Sequence, residues 1–282
     1  MDWARDHPTW PMATQSRRVL HKPHRWHLLD TGSGPLLLLI HGAGGSTHSW
    51  RHLVPLLKGY RVMAVDLPGQ GFTQCGAQKR CGLDAMAEDL LSLCRSENLE
   101  PRAIIGHSAG AAIGLRMAEQ MSPTPDVIGI NAALDTFQGV AGVLFPLMAK
   151  TIAMLPMAAN MFSATAANTQ SVARILKGTG STLPPADIEL YRRLVANPSH
   201  VNATLQMMAQ WELEPLLMRL TKQRAHALFI TGDADTAVPP TVSQKAAARM
   251  PDAICVSLAG LGHLAHEEDA AAVAAPLLDF LE

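Results

Sequence analysis

The sequence predicts an α/β protein: a mostly parallel, eight-stranded sheet flanked by helices, with a helical lid inserted near its middle. Two observations carry this. Short, continuously apolar runs alternate with helix-length stretches, as they do when helices cover both faces of a parallel sheet. That alternation stops once, between about residues 136 and 220, where no convincing strand occurs. A chain of 282 residues can bury one such core without requiring a second full domain.

Taken in order, Arg18 to Leu29 reads as an antiparallel hairpin at one edge of the sheet. Leu36-Leu37-Leu38-Leu39-Ile40, bounded by Gly34-Pro35 and His41-Gly42, has the uninterrupted apolar character of a strand buried on both faces. Similar runs follow at Tyr60 to Val65, Ala103 to Gly106, Val127 to Ile130, Ala227 to Ile230 and Ala253 to Leu258. Helices are expected over Trp50 to Leu57, Leu83 to Leu93, Ala109 to Met121, Thr241 to Met250 and Ala270 to Leu281. The core domain is thus assigned to residues 1–135 and 221–282, and the lid to 136–220. The lid holds 7 of the 14 methionines (Met148, Met154, Met157, Met161, Met207, Met208 and Met218), besides Phe145, Phe162 and Trp211. They read either as core filler or as an adaptable apolar wall for a large, flat or greasy ligand. Met148, Met208 and Trp211, with Gly42 and His107, form the candidate substrate pocket.

Composition excludes several classes. The formal net charge is −1 and no Lys/Arg run tracks a phosphate backbone, so nucleic acid is not an expected partner. Cys75, Cys81, Cys94 and Cys255 show neither CxxC pairing nor a disulfide-dense pattern, which suits thiols in a reducing interior rather than a zinc site. The segment Met1-Asp2-Trp3-Ala4-Arg5-Asp6-His7-Pro8 is charged where a secretory leader needs an apolar centre, so a cytoplasmic location is expected. Val140 to Phe162 approaches the length of a membrane span but is interrupted by Lys150, Asn160 and two prolines. No transmembrane segment is expected, and peripheral contact with a membrane surface stays open.

Gly106-His107-Ser108-Ala109-Gly110 follows the apolar run Ala103 to Gly106 directly. A strand that turns at once into a helix forces its corner residue into a strained conformation, and small neighbours make that corner possible. Ser108 is therefore a candidate nucleophile held clear of the sheet, the plainer reading being an ordinary glycine-containing turn. A serine hydroxyl needs a base to take its proton and an acid to orient that base. In the order Ser, acid, His, the later strands end at Thr231-Gly232-Asp233-Ala234-Asp235 and Leu261-Gly262-His263. Asp235 is the preferred acid, with Asp233 a turn cap and Asp135 a third carboxylate; His263 is the preferred base, with His266 the alternative. Donors for a developing oxyanion are the Ala109 N–H at a helix start and the Ala43 N–H in His41-Gly42-Ala43-Gly44-Gly45. That glycine-rich loop lacks the GK[ST] ending of a phosphate cradle. No metal or organic cofactor is required by this chemistry.

The set His41-Gly42-Ala43-Gly44, Asp66-Leu67-Pro68-Gly69-Gln70-Gly71, Gly106 to Gly110, Gly232 to Pro239 and Gly262-His263 resembles the α/β-hydrolase fold over all but roughly the first 15 residues. In that superfamily a serine at the elbow implies hydrolysis of esters, thioesters, amides or carbon–carbon bonds. Thr47-His48-Ser49-Trp50-Arg51, Gly178-Thr179-Gly180-Ser181, Leu190-Tyr191 and Gly260 to Glu268 add a narrower likeness. They resemble the hydrolase-fold proteins of bacteriochlorophyll gene clusters, described as magnesium chelatase accessory proteins. The likeness implies a role near magnesium insertion into protoporphyrin IX, a hydrophobic small-molecule substrate such as a tetrapyrrole, and magnesium chelatase subunits as partners. His48 and His52, four apart on an expected helix, are candidates for a tetrapyrrole propionate or metal, against surface or packing roles. Two functions follow: a serine hydrolase, or a non-catalytic porphyrin-binding chaperone for the chelatase.

Overall fold

The computed structural model of the chain describes residues 1–135 and 158–282. One sheet runs in the order β1-β2-β4-β3-β5-β6-β7-β8. The strands are β1 (Ser16–His21), β2 (His24–Gly32), β3 (Leu36–Ile40), β4 (Arg61–Val65), β5 (Pro101–His107), β6 (Asp126–Ile130), β7 (Ala227–Gly232) and β8 (Ala253–Leu258). β1 and β2 are the antiparallel edge hairpin, β2 pairs antiparallel with β4, and all pairings among β3 to β8 are parallel.

Parallel neighbours need crossover connections, and helices supply most of them. α1 (Leu83–Ser96) precedes β5, and α2 (Ala109–Ala118) links β5 to β6. Between β6 and β7 lie α3 (Ala158–Ala166), α4 (Thr169–Lys177), α5 (Pro185–Val195), α6 (Pro198–Ala209) and α7 (Glu214–Arg219), with no strand among the described residues of this segment. The chain closes with α8 (Pro240–Arg249), the short α9 (Ala265–Glu268) and α10 (Ala270–Leu281). Met148, Met154 and Met157 fall outside the described residues. Among the described residues no helix is long and apolar enough to cross a membrane.

Successive side chains of a strand point to opposite faces, so one run of sequence fills two cores. Leu36, Leu38 and Ile40 of β3 pack with Met63, Ile104, Val127 and Phe229 against Met86 and Leu90 of α1, Ile113 of α2 and Ala246 of α8. Leu37 and Leu39 pack on the other side with Ile105, Ile128 and Ile230 against Trp50, Leu53, and Val273 and Leu277 of α10. Each such side chain contributes about 1.5–3 kcal/mol of burial. A third cluster, Trp10, Phe72, Val172, Leu183, Tyr191, Leu194 and Leu264, joins the N-terminal segment and the inserted helices to the loop after His263.

One expected element is different. Residues 50–57 form no α-helix; two 3₁₀ turns, Thr47–Trp50 and Val54–Leu56, take their place. Pro55 has no N–H to extend a helix and breaks the segment, while Ser46 caps the start of the first turn by accepting the His48 N–H.

Candidate active site

At the carboxyl end of β5 the chain turns into α2 within one residue, and Ser108 is that residue, with φ 52° and ψ −117°. The left-handed φ is strained for a side chain other than glycine, so the surroundings must enforce it. They do so by close backbone contact. A Cβ on Gly106 would lie 2.3 Å from the Ala111 nitrogen, and one on Gly110 would lie 2.1 Å from the Ile40 carbonyl oxygen of β3. The two glycines thus let α2 start directly over β5 and β3. Ser108 N–H donates to the Ile130 carbonyl (2.9 Å), and its own carbonyl accepts from Ala133 (3.1 Å). The Ser108 side chain is half-buried, and among the described residues its hydroxyl makes no hydrogen bond.

β7 and β8 are neighbours in the sheet, so the loops that follow them meet. The structure sets Asp235 Oδ2 2.8 Å from His263 Nδ1. Asn131 Nδ2 donates to the same oxygen at 2.7 Å, and the Ala237 and Val238 N–H groups each donate to Oδ1 at 2.8 Å. Burial alone would raise the Asp235 carboxyl; His263 and these donors outweigh it and hold the group below the usual range. Asn131 was invisible in the sequence. It sits at φ 47° just past β6, a backbone conformation that asparagine tolerates better than most residues.

The competing residues lie elsewhere. Asp233 Oδ1 accepts the Gly260 N–H (2.6 Å) and caps that turn. Asp135 lies beyond β6 and, among the described residues, forms no hydrogen bond or ion pair with His263, whose carboxylate partner is Asp235. His266 is fully buried between Trp50 (4.7 Å between ring centres) and His107 (4.6 Å), and neither ring nitrogen has a hydrogen-bond partner among the described residues. Burial holds His266 well below the ordinary imidazole range, so it is a neutral packing group. His107 donates from Nε2 to the His263 carbonyl (2.9 Å), and burial followed by the charge of His263 pushes it down to about 3.

The loop after β3 passes against the elbow, because Gly42 has no side chain: a Cβ there would meet His107 Nδ1 at 2.8 Å and Ser108 Cβ at 3.0 Å. His41 fixes the loop, its Nδ1–H donating to the Gly42 carbonyl (2.7 Å) and its Nε2 accepting from Leu67 (2.9 Å). Gly44 N–H donates to Gln70 Oε1 (2.8 Å). Ala43, between them, is exposed, and its N–H makes no bond among the described residues. The Ala109 N–H opens α2, where the first amides have no intrahelical acceptor. Helix α6 covers this loop: His200 Nε2 donates to the Gly44 carbonyl (3.1 Å) while its Nδ1 accepts from Gly71 (3.0 Å). That pattern needs the neutral ring, and burial pushes His200 down to about 4. Met208 is half-buried on the same helix, whereas Trp211 packs against the core under the sheet.

The inserted segment also grips the acid and base loops. The Thr179 carbonyl accepts from both Thr236 and His263 N–H (3.3 Å each), and Ser181 Oγ accepts from Leu264 N–H (2.8 Å). A Cβ on Gly180 (φ +84°) would fall 2.0 Å from the Ala234 carbonyl. Nearby, Arg51 reaches Asp187 on α5 (2.6 Å) and Glu267 on α9 (2.5 Å), and Tyr191 donates to Glu267 (2.5 Å). This buried network was not anticipated. His48 is fully buried beside Ser46 (2.7 Å) and Tyr191, while His52 is half-exposed and bonded to Asp187 (3.1 Å). Without the expected helix the two imidazoles share no face. Among the described residues no group of three His, Cys, Asp or Glu side chains could hold a metal ion.

Residues 37–275 match the sequence profile of the alpha/beta hydrolase family. The "Magnesium-chelatase 30 kDa subunit" of Rhodobacter capsulatus is 45% identical over 97% of this chain and 96% of its own length. Among solved structures, an alpha/beta hydrolase fold protein from Burkholderia ambifaria superposes with a TM-score of 0.78 at 23% identity, over 94% of this chain and 97% of that one. A thermophilic esterase from Thermogutta terrifontis gives a TM-score of 0.75 at 22% identity, over 95% and 98% of the two chains. At these identities the two structures speak to the fold alone.

Proposed function

Because the chain belongs to the alpha/beta hydrolase family, we propose that it is a serine hydrolase that cleaves a hydrophobic acyl ester in bacteriochlorophyll synthesis, close to the insertion of magnesium. One observation carries the chemical half: a serine on a strained strand-to-helix corner shares a sheet edge with a His–Asp pair held at 2.8 Å. In this reading Ser108 Oγ adds to the acyl carbon while His263 Nε2 takes its proton. Asp235 fixes the Nδ1–H tautomer and stabilises the imidazolium. The Ala43 and Ala109 amides receive the oxyanion, each worth on the order of 10²- to 10³-fold in rate. His263 returns the proton to the leaving alcohol, and water then frees the acyl group by the same route. The open Ser108 hydroxyl is compatible with this, since catalytic hydrogen bonds are often long in the free enzyme and tighten in the complex. The inserted helices act as the lid, with Met208 in its apolar wall and Gly42 and His107 at its floor.

The biological half rests on the 45% identity to a protein named as a magnesium-chelatase subunit. The same likeness favours a second reading, in which the chain binds porphyrin for the chelatase and performs no hydrolysis. A fluorophosphonate probe separates the two. Labelling mapped to Ser108, and lost in His263→Ala, supports the hydrolase. No labelling, together with quenching of the five tryptophans by protoporphyrin IX, supports the binding module.

A further inference from the structure

Away from Ser108 and its neighbours, the loop between β4 and α1 gathers a second set of reactive groups. Cys75 Sγ lies 4.0 Å from Cys81 Sγ. Cys75 is half-buried beside the exposed Gly76, and Cys81 is buried behind it. His24, fully buried on β2, accepts the Gly76 N–H at Nδ1 (3.3 Å) and meets Asp89 Oδ2 through Nε2 (3.0 Å). Asp89 is in turn fixed by Arg80 (2.9 Å), which lies between the two cysteines in sequence. An imidazole on an anchored carboxylate therefore holds the residue next to Cys75, and a second thiol lies within van der Waals contact of the first.

We propose that Cys75 and Cys81 are a hydroperoxide-reactive dithiol, in which Cys75 attacks, Cys81 resolves, and His24 backed by Asp89 holds the Gly76 backbone that sets Cys75 in place. The observations divide the roles. The hydrogen bond from Cys81, against the effect of burial and with the help of His24, holds the Cys75 thiol well below its ordinary value. His24 itself is raised: burial opposes this, and Asp89 and Cys75 outweigh it. Cys94 and Cys255 lack such partners; burial pushes Cys94 up to about 12 and raises Cys255. Of the two residues the half-buried Cys75 is the one open to a reagent, and the buried Cys81 lies behind it.

The steps balance. The Cys75 thiolate attacks one oxygen of hydrogen peroxide, the O–O bond breaks, and the hydroxide that leaves takes up the proton released when the Cys75 thiol ionised, giving water and a sulfenic acid. The Cys81 sulfur then attacks the Cys75 sulfur, the hydroxyl departs with the Cys81 proton as a second water, and the disulfide forms. Two electrons pass from the thiols to the peroxide. Closing 4.0 Å to about 2.05 Å needs only local movement of the 75–81 loop.

The test uses the full-length reduced protein, hydrogen peroxide in stopped time points, and alkylation of the remaining thiols. Trypsin cuts after Lys79 and Arg80, so a Cys75–Cys81 bond appears as two joined peptides that dithiothreitol separates. The expected result is that this bond forms at least about tenfold faster than Cys94 or Cys255 is modified in the same molecules. In Cys81→Ala the reaction stops at a Cys75 sulfenic acid captured by dimedone; in His24→Asn the Cys75 rate falls about tenfold. Equal rates at all four cysteines, or joined peptides other than this pair, overturn the proposal, and the wild-type comparison decides it even if His24→Asn does not fold.

Discussion

Replacing Gly110 by alanine tests the claim that backbone contact builds the Ser108 corner. Gly110 is helical and its φ is ordinary, so the substitution is conformationally allowed and favours the helix by up to about 1 kcal/mol. Space opposes it. The new Cβ would stand 2.1 Å from the Ile40 carbonyl oxygen and 2.8 Å from that of His41. An ordinary carbon–oxygen contact is about 3.3 Å, so α2 and β3 must part by about 1.2 Å. Overpacking of this kind costs about 3 kcal/mol when the obstacle is backbone rather than a movable side chain. The net loss is about 2 kcal/mol or more, or about 3–4 °C or more in Tm for a chain of this size. Gly114 of the same helix is the control: its Cβ would meet only the Ile104 methyl at 3.0 Å, which can give, so Gly114→Ala stays within about 1 kcal/mol of wild type. Urea denaturation followed by tryptophan fluorescence measures both, and fluorophosphonate labelling reads whether the corner survives. Equal stabilities for the two variants would show that the elbow glycines are not there for close approach.

In Asp235→Asn the amide keeps the shape but not the tautomer control, and hydrolysis of an ester probe is expected to fall about 10⁴-fold with folding retained; activity within tenfold of wild type removes Asp235 from the relay. Arg51→Met strands Asp187 and Glu267 in a site where the Arg51 side chain is 8% exposed, and should cost about 3–5 kcal/mol. Combining it with Asp187→Asn and Glu267→Gln should recover most of that, and no recovery means that the loss is one of packing alone. Stability should fall in mild acid. His107 is neutral in the fold down to about 3 and His200 to about 4, whereas an unfolded imidazole binds its proton near pH 6.5. Their contribution is present above about pH 6.5 and lost as pH drops toward the folded values, about 2 kcal/mol each by pH 5. A urea midpoint unchanged from pH 7.5 to pH 5 contradicts it.

The sheet was legible because its strands are buried on both faces and so read as apolar runs, as with Leu36 to Ile40 and Ala227 to Ile230. The proximity of Asp235 and His263 follows from the same logic, since each ends one of two adjacent strands. Residues 50–57 misled because Trp50, Leu53, Val54 and Leu57 carry helical spacing, which Pro55 overrides. Asn131, His200 and Arg51 left no trace in the pattern. Each owes its place to a partner more than a hundred residues away, such as Asp235, Gly71 and Asp187. Long-range polar pairing has no period along a chain. The four cysteines likewise read as inert core thiols until the fold set Cys81 4.0 Å from Cys75.

The grip of Thr179, Gly180 and Ser181 on the loops of Asp235 and His263 bears on how such a protein diversifies. An insertion tethered only at its two ends can be exchanged between relatives like a cassette, leaving the reacting groups untouched. Here the inserted helices share hydrogen bonds with residues 236, 263 and 264. Those partners are backbone N–H groups, so a graft of residues 158–222 from another lineage must present a carbonyl and a hydroxyl at the same places, or the transplanted helices will arrive without a seat. Variation among the described inserted helices is therefore confined to side chains on an inherited frame.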